Sequence, residues 1–437
     1  MDLLLPVGTR LLHIGPPKTA TTTLQSAFHN NREALNSHRV HYAGKARQPM
    51  TAALAAADGS TVPGRSAGNW PRLLQEIEDA DADRVMISSE FFSHADDEHA
   101  RAVVEALGAD RTHVVITLRP LVKIIPSQWQ QYVRDRMRSA YPEWLDLMFN
   151  HADETTITPT FWRRHRHDLL VRRWAEAVGK QNLTVIVLDE SQPERLLNIV
   201  EEMLGLPLGL LVSKPDANNR SMTLPEVELM REFNEQFFAN EWTSEDYTRF
   251  IRFGSTRRFM ERVPAADEPK ITTPQWAVDR CIELSRQMVT SIATSGVRIL
   301  GDLEWLTVAP RASAVGDPEE RPVVPTAELA ARHSIDVIGA AKVLSTQEGN
   351  FPAQLAAVKQ QLAAGKQQLT ETKRKLANAR KQLRAVQERL QETKQQLGDS
   401  EQLRSEQSIH HHTARDLMGV VSGRVRARLV PGRRSRG

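Results

Sequence analysis

Four short runs of apolar and β-branched residues, Arg10–Ile14, Val85–Ser88, His113–Leu118 and Leu183–Leu188, are separated by stretches with helical periodicity. A strand that passes through a helix before the next strand returns parallel to itself. The alternation therefore restricts the chain to an α/β fold, a parallel sheet with right-handed crossovers. His113–Leu118 is apolar or β-branched after its first residue, the composition of a strand covered on both faces. Helices are expected from about Thr21, with Leu24, Ala27 and Phe28 on one face, over Asp96–Leu107, and from about Leu121 to Met137. Pro71–Ile77 reads as a helix start, and the helix containing Trp174 precedes the fourth strand. Residues 44–69, rich in Gly, Ala and Pro, read as a loop, and 224–307 as helices packed on or beside the sheet. A ligand of such a sheet lies beyond the carboxyl ends of the strands. Residues just after Ile14, Ser88 and Leu118 should therefore converge on one site.

The 437 residues are too many for one ordinary domain. We expect an α/β domain over 1–307, a linker over 308–323, a helical connector over 324–350, a coiled coil over 351–405 and a basic tail over 406–437. The coiled coil rests on Leu355, Leu362, Leu369, Leu376, Leu383, Leu390 and Leu397, which recur every seven residues. A strict seven-residue repeat keeps one seam facing a partner only in a left-handed supercoil. Its companion positions, Val358, Gly365, Thr372, Ala379, Val386 and Thr393, are weaker. A single solvated helix with a leucine stripe is the plainer alternative.

The chemistry concentrates in His13–Gln25, HIGPPKTATTTLQ. A strand ends, the backbone turns through Gly15-Pro16-Pro17, and Lys18 with a run of threonines opens a helix. Free amides at a helix N-terminus bind anions, since they have no intrahelical partner and the dipole is positive there. Lys18 adds a charge, and Thr19, Thr21, Thr22 and Thr23 add hydroxyl donors. A lone Thr here would merely cap the helix; four beside a lysine point to a phosphate or sulfate. The nucleoside-triphosphate P-loop is a different motif, with a second glycine directly before its lysine, and Lys18 comes too early for it.

The segment Pro17–Leu24, PKTATTTL, resembles the 5′-phosphosulfate loop, PKxGTTxL, of sulfotransferases that use 3′-phosphoadenosine 5′-phosphosulfate (PAPS). The resemblance, to the bacterial and carbohydrate-sulfotransferase-like members, spans roughly residues 9–300 at low stringency. It implies a P-loop-like parallel sheet flanked by helices. Pro17, Lys18, Thr19, Ala20, Thr21, Thr22 and Thr23 would bind the cofactor, with Lys18 bridging phosphate and sulfuryl oxygen. Ala20 stands where glycine is commoner; a positive φ there would strain it. The family holds the 3′-phosphate with an Arg at a strand end and a Ser one turn into the next helix. TLRPLVKIIPSQW supplies both, as Arg119 and Ser127. Asn219, Arg220 and Ser221, before a helix near Pro225, fall where relatives cover the adenosine; Ser221 or Thr223 as a helix cap is an equal alternative.

Sulfuryl transfer needs a base for the acceptor proton and a cation for the leaving oxygen. Lys18 suits the second task. For the first the resemblance points to Glu90, just past the second strand, with His94 one turn on as the other candidate; Glu90 paired with Arg119 or Lys18 is the competing assignment. His13 reads as structural. No cluster has metal-ligand spacing, and the chemistry requires no metal.

The acceptor is expected to be a hydroxyl or amine of a carbohydrate or glycolipid, from the aromatic and basic residues that follow Arg119. One cysteine, Cys281, allows no intramolecular disulfide, and no secretory signal or long apolar run is evident, so the cytoplasm is the expected compartment. Residues 413–437 hold seven Arg against one Asp. That tail suits peripheral contact with an anionic membrane, the leucine repeat suits a homo-oligomer, and nucleic acid is not the expected partner. Two other functions compete. A nucleotide kinase or NTPase would need Mg²⁺ ligands that the first loop lacks. A non-catalytic coiled-coil protein on a degenerate scaffold would have no use for Lys18, Glu90 and Arg119 together.

Overall fold

The computed structural model describes residues 3–59, 68–212, 220–316 and 323–426. The chain forms two compact units, Met1–Val343 and Leu344–Gly437. The first is built on a six-stranded, all-parallel sheet in the order β2-β3-β1-β4-β5-β6. The strands are β1 Arg10–His13, β2 Val40–Tyr42, β3 Arg84–Ser88, β4 Thr112–Leu118, β5 Leu183–Val187 and β6 Arg298–Leu300.

Alternate side chains divide between two faces because the strand period is two. Leu12, Val85, Ile87, Val114, Ile116 and Val185 join one core with Trp174. Leu11, Met86, Val115 and Ile186 join another with Leu24, Phe28 and Met203. Both faces are covered, and each fully buried Leu or Ile contributes roughly 1.5–3 kcal/mol. A third core, with Trp129, Trp144, Phe161 and Phe237, is drawn mostly from helices and includes the buried Cys281.

The sequence pattern misses three pieces. Residues 44–69 are not all loop: Met50–Asp58 is a helix, with Ala52, Ala53, Ala56 and Ala57 buried. Alanine is the best helix former, and Gly59, at φ 69°, ends the run. The edge strands β2 and β6 have three residues each, too few for a periodic signal. Near the end of the unit, Thr273 N–H donates to Ala314 O at 3.0 Å and Gly316 N–H to Thr273 O at 3.1 Å.

From β1 the chain moves to one side of the sheet, then crosses after β3 to β4 on the other. The reversal lies between β1 and β4, the point where such sheets open a ligand crevice. The last described helix, Ala327–Arg426, makes up most of the second unit. No helix among the described residues is long and apolar enough to cross a membrane.

Candidate active site

A cleft of about 490 Å³ opens at the carboxyl ends of β1, β4 and β5. Lys18, Ala20, Thr21, Thr22, Thr23, Arg119, Ser127, Arg220 and Ser221 all line it. Pro17, Thr19, Glu90 and His94 do not, and Asn219 lies outside the described residues.

The loop after β1 is tied down from beneath. Buried His13 contacts Ser88 Oγ through Nδ1 at 2.8 Å and Thr117 Oγ1 through Nε2 at 3.2 Å. Thr117 reaches Thr19 Oγ1 at 2.8 Å, and Thr19 donates to Pro16 O at 2.6 Å. One assignment satisfies every group: Ser88 donates to His13, His13 to Thr117, and Thr117 to Thr19. Burial pulls the His13 pKa down to about 3, so the neutral ring this chain requires is the stable form. Gly15 completes the fit. At φ 81° it favours glycine, and a Cβ there would stand 2.9 Å from Glu90 Cβ.

Lys18 and Ala20 are left-handed, at φ 70° and 60°. Ala20 therefore carries the strain its non-glycine identity implied, roughly 1–2 kcal/mol. Left-handed residues flanking Thr19 match the backbone geometry of anion-binding nests. Ala20 is also the N-cap of helix Thr21–Asn30, and no side chain caps that helix. Its first amides therefore remain available to an anion.

Lys18 Nζ donates to Gln131 Oε1 at 3.4 Å. Burial and then Arg134 lower its pKa to about 8, against the opposing pull of Asp135 and Glu90. Across the cleft, Arg119 Nη1 donates to Lys18 O at 3.5 Å, joining the two halves of the site. Arg134, one of the basic residues after Arg119 expected to face the acceptor, lines the cleft with its buried Nε unpartnered among the described residues.

Sequence reasoning also missed Glu190. Arg119 Nε and Nη2 donate to its Oε1 at 2.9 and 2.7 Å, and Lys123 Nζ to its Oε2 at 2.6 Å. Burial raises the Glu190 pKa, and the hydrogen bond from Lys123 and the charge of Arg119 more than reverse this. It follows β5, so the strand-end rule extended to the fourth run would have found it. An incoming phosphate must compete with this carboxylate for Arg119. Glu190→Gln should therefore tighten binding of a phosphate ligand at Arg119 about tenfold, near 1.4 kcal/mol, by calorimetry.

Arg220 lines the cleft, yet its donors are occupied. They meet Glu226 at 2.7 Å twice, Arg262 O at 2.9 Å and Ser221 O at 3.0 Å. Thr223, not Ser221, caps helix Leu224–Ala239, in a reciprocal box with Glu226. Gln130 Oε1 accepts from Met222 N–H at 2.8 Å and pins this wall to helix Leu121–Arg134.

Glu90 pairs with neither Arg119 nor Lys18. Gln25 Nε2 donates to its Oε2 at 2.9 Å and Gln48 Nε2 to its Oε1 at 3.1 Å. The carboxylate is positioned by neutral amides and keeps acceptor capacity on both oxygens. His94 faces elsewhere: its ring lies 5.6 Å from that of Phe91, and Nδ1 is 3.7 Å from Asp58 Oδ2. Burial, then Arg164, lowers its pKa to about 4. No group of three or more His, Cys, Asp or Glu among the described residues could hold a metal ion.

No family model matches this sequence, and no curated protein does. Among solved structures, the fold is similar to a sulfotransferase from Alicyclobacillus acidocaldarius, at a TM-score of 0.36 and 18% identity. That similarity covers 55% of this chain and 95% of the other, and is too loose to carry a functional argument. The chain is thus a parallel α/β protein whose strand ends enclose a cation-lined cleft.

Proposed function

We propose that the protein is a sulfotransferase that uses PAPS. The observation that carries this is the meeting, in one cleft, of two separate sequence motifs: the Lys18–Thr23 loop and the Arg119/Ser127 pair. The cleft is within the size range of small-ligand sites. Its donor set fits a ligand with phosphate at both ends. The uncapped amides of Thr21–Thr23 with Lys18 would hold the 5′-phosphosulfate, and Arg119 with Ser127 the 3′-phosphate. Arg134 is a further donor for the same ligand.

PAPS would supply the sulfuryl group. The acceptor oxygen or nitrogen forms a bond to sulfur as the bond from sulfur to the phosphate oxygen breaks. Glu90 takes the acceptor proton, and the Lys18 ammonium neutralises the charge on the departing oxygen. The amides of Gln25 and Gln48 aim Glu90 without neutralising it. We assign the base to Glu90 rather than His94: neither lines the cleft, but Glu90 lies close enough to Lys18 for its charge to oppose the fall in the lysine pKa, while the His94 ring packs against Phe91.

The acceptor is proposed to be polar, a carbohydrate or glycolipid head. A second cleft, of about 570 Å³, is lined by Tyr132, Asp135, Arg136, Arg138 and Glu235. Asp135 links it to the first, because Gln131 donates to Asp135 Oδ2 at 3.2 Å while accepting from Lys18. A cytoplasmic setting is proposed with this reading.

The test is binding of 3′-phosphoadenosine 5′-phosphate, the spent cofactor, by calorimetry. Micromolar or tighter binding is expected, and none by the folded protein would sink the proposal. Once an acceptor is found, Glu90→Gln should cut turnover at least roughly 100-fold and leave affinity for the spent cofactor unchanged. A parallel loss of affinity would instead make Glu90 a structural residue.

A further inference from the structure

Within the second unit, the leucines at 369, 376, 383, 390 and 397 are 51–61% exposed. Their spacing says what kind of object covers them. On a straight helix a seven-residue repeat drifts about 20° per heptad, so the stripe winds roughly 80° from Leu369 to Leu397. A flat membrane cannot follow that path, whereas a helix supercoiling with its neighbour can.

The charges beside the stripe say which helix. With the leucines as one seam position and Thr372, Ala379, Val386 and Thr393 as the other, the flanking positions hold Lys366, Lys373, Lys375, Arg380, Arg389 and Lys394, with only glutamines otherwise. Glu371, Glu388, Glu392 and Asp399 all fall on the outer face, where Glu371 pairs with Lys375 at 2.8 Å. A second copy of this helix would set cation against cation in either orientation. If the leucines take the other seam position, Lys373, Arg380 and Lys394 enter the seam itself, which opposes self-pairing more strongly.

We infer that residues 366–400 form one half of a heterotypic coiled coil, whose other half is a helix of a different protein with apolar seam residues and acidic flanks. This replaces the homo-oligomer suggested by the leucine repeat alone. It does not depend on the sulfuryl-transfer reading.

The probe is a synthetic five-heptad peptide with leucine in the seam and glutamate at the flanks, titrated into the full chain and followed by fluorescence anisotropy. It should bind at least roughly 100-fold tighter than a lysine-flanked peptide, or than a glutamate peptide of equal composition with its leucines out of register. High salt should weaken it. Exchanging all six flanking cations for Glu, with helix content checked by circular dichroism, should reverse the preference to the lysine peptide. Equal binding of the out-of-register peptide would reduce the effect to polyanion attraction and overturn the inference. So would absence of binding to any peptide. Micromolar self-association of the full chain, abolished by Leu376→Asp with Leu383→Asp, would establish the homotypic pair instead.

Discussion

Lys18→Ala should weaken binding of 3′-phosphoadenosine 5′-phosphate by at least about 100-fold, near 3 kcal/mol, with the fold intact. Among the described residues, the substitution removes the one lysine that lines the cleft. Ala also lacks the stem that spans from the loop to Gln131. Arg119→Ala should cost a similar amount, with one difference: it leaves Glu190, held then by Lys123 alone, to face the ligand without the guanidinium. Loss in both variants, read by calorimetry beside unchanged circular dichroism, would place both ends of the nucleotide. Retained affinity in both would remove the basis of the proposed function.

The Lys18 pKa gives the same prediction a pH axis. Its folded value of about 8 lies below the ordinary 10.5 because charging it in the loop is unfavourable. Affinity for the anion should therefore fall as pH rises through about 8, where the ammonium is lost. Stability of the ligand-free protein should move the other way. Between about 8 and 10.5 the unfolded chain holds the proton more tightly, so this group's contribution to stability rises with pH. Opposite slopes for affinity and ligand-free stability, both absent in Lys18→Ala, would identify this one group.

The second large effect lies in the wall of the cleft. Glu226→Ala should destabilise the first unit by about 3–5 kcal/mol in denaturant unfolding. The Glu226 side chain is fully buried between Arg220 and Arg262, the latter also held by Glu268. Removing the carboxylate leaves Arg220 an uncompensated cation and deletes half of the cap on helix Leu224–Ala239. Burial raises the Glu226 pKa, but hydrogen bonds from Arg220 and Thr223 N–H outweigh it and the net shift is downward. That contribution is present above the ordinary carboxylate pKa near 4.5 and is lost as pH falls through the lower folded value. A loss under about 1 kcal/mol would mean the network is dispensable.

These two regions were unequally legible in the sequence. The loop at Lys18 was readable because strand end, turn, lysine and hydroxyls are contiguous. Arg119 and Ser127 were readable because they repeat the strand-to-helix logic one crossover later. The Arg220 wall was not, because its meaning depends on Arg262 and on carbonyls some 40 residues away. Glu190 was hidden for the same reason: its partner Arg119 is 71 residues distant. The amides that aim Glu90 come from Gln25 and Gln48, one of them in a segment read as loop. Local pattern reveals groups that act through the backbone around them; it is silent on pairs formed only when distant elements pack.

The close approach of Gly15 to Glu90 has one more consequence. The turn that presents the ammonium and the segment that presents the carboxylate touch backbone to backbone, with no side chain between them to repack. The spacing of these two segments is thus set by the neighbouring strands β1 and β3, as fixed as the gap between two teeth of a comb. Under the proposed chemistry, a change of acceptor would come from reshaping the far wall of the cleft, because these two segments cannot part without breaking the sheet.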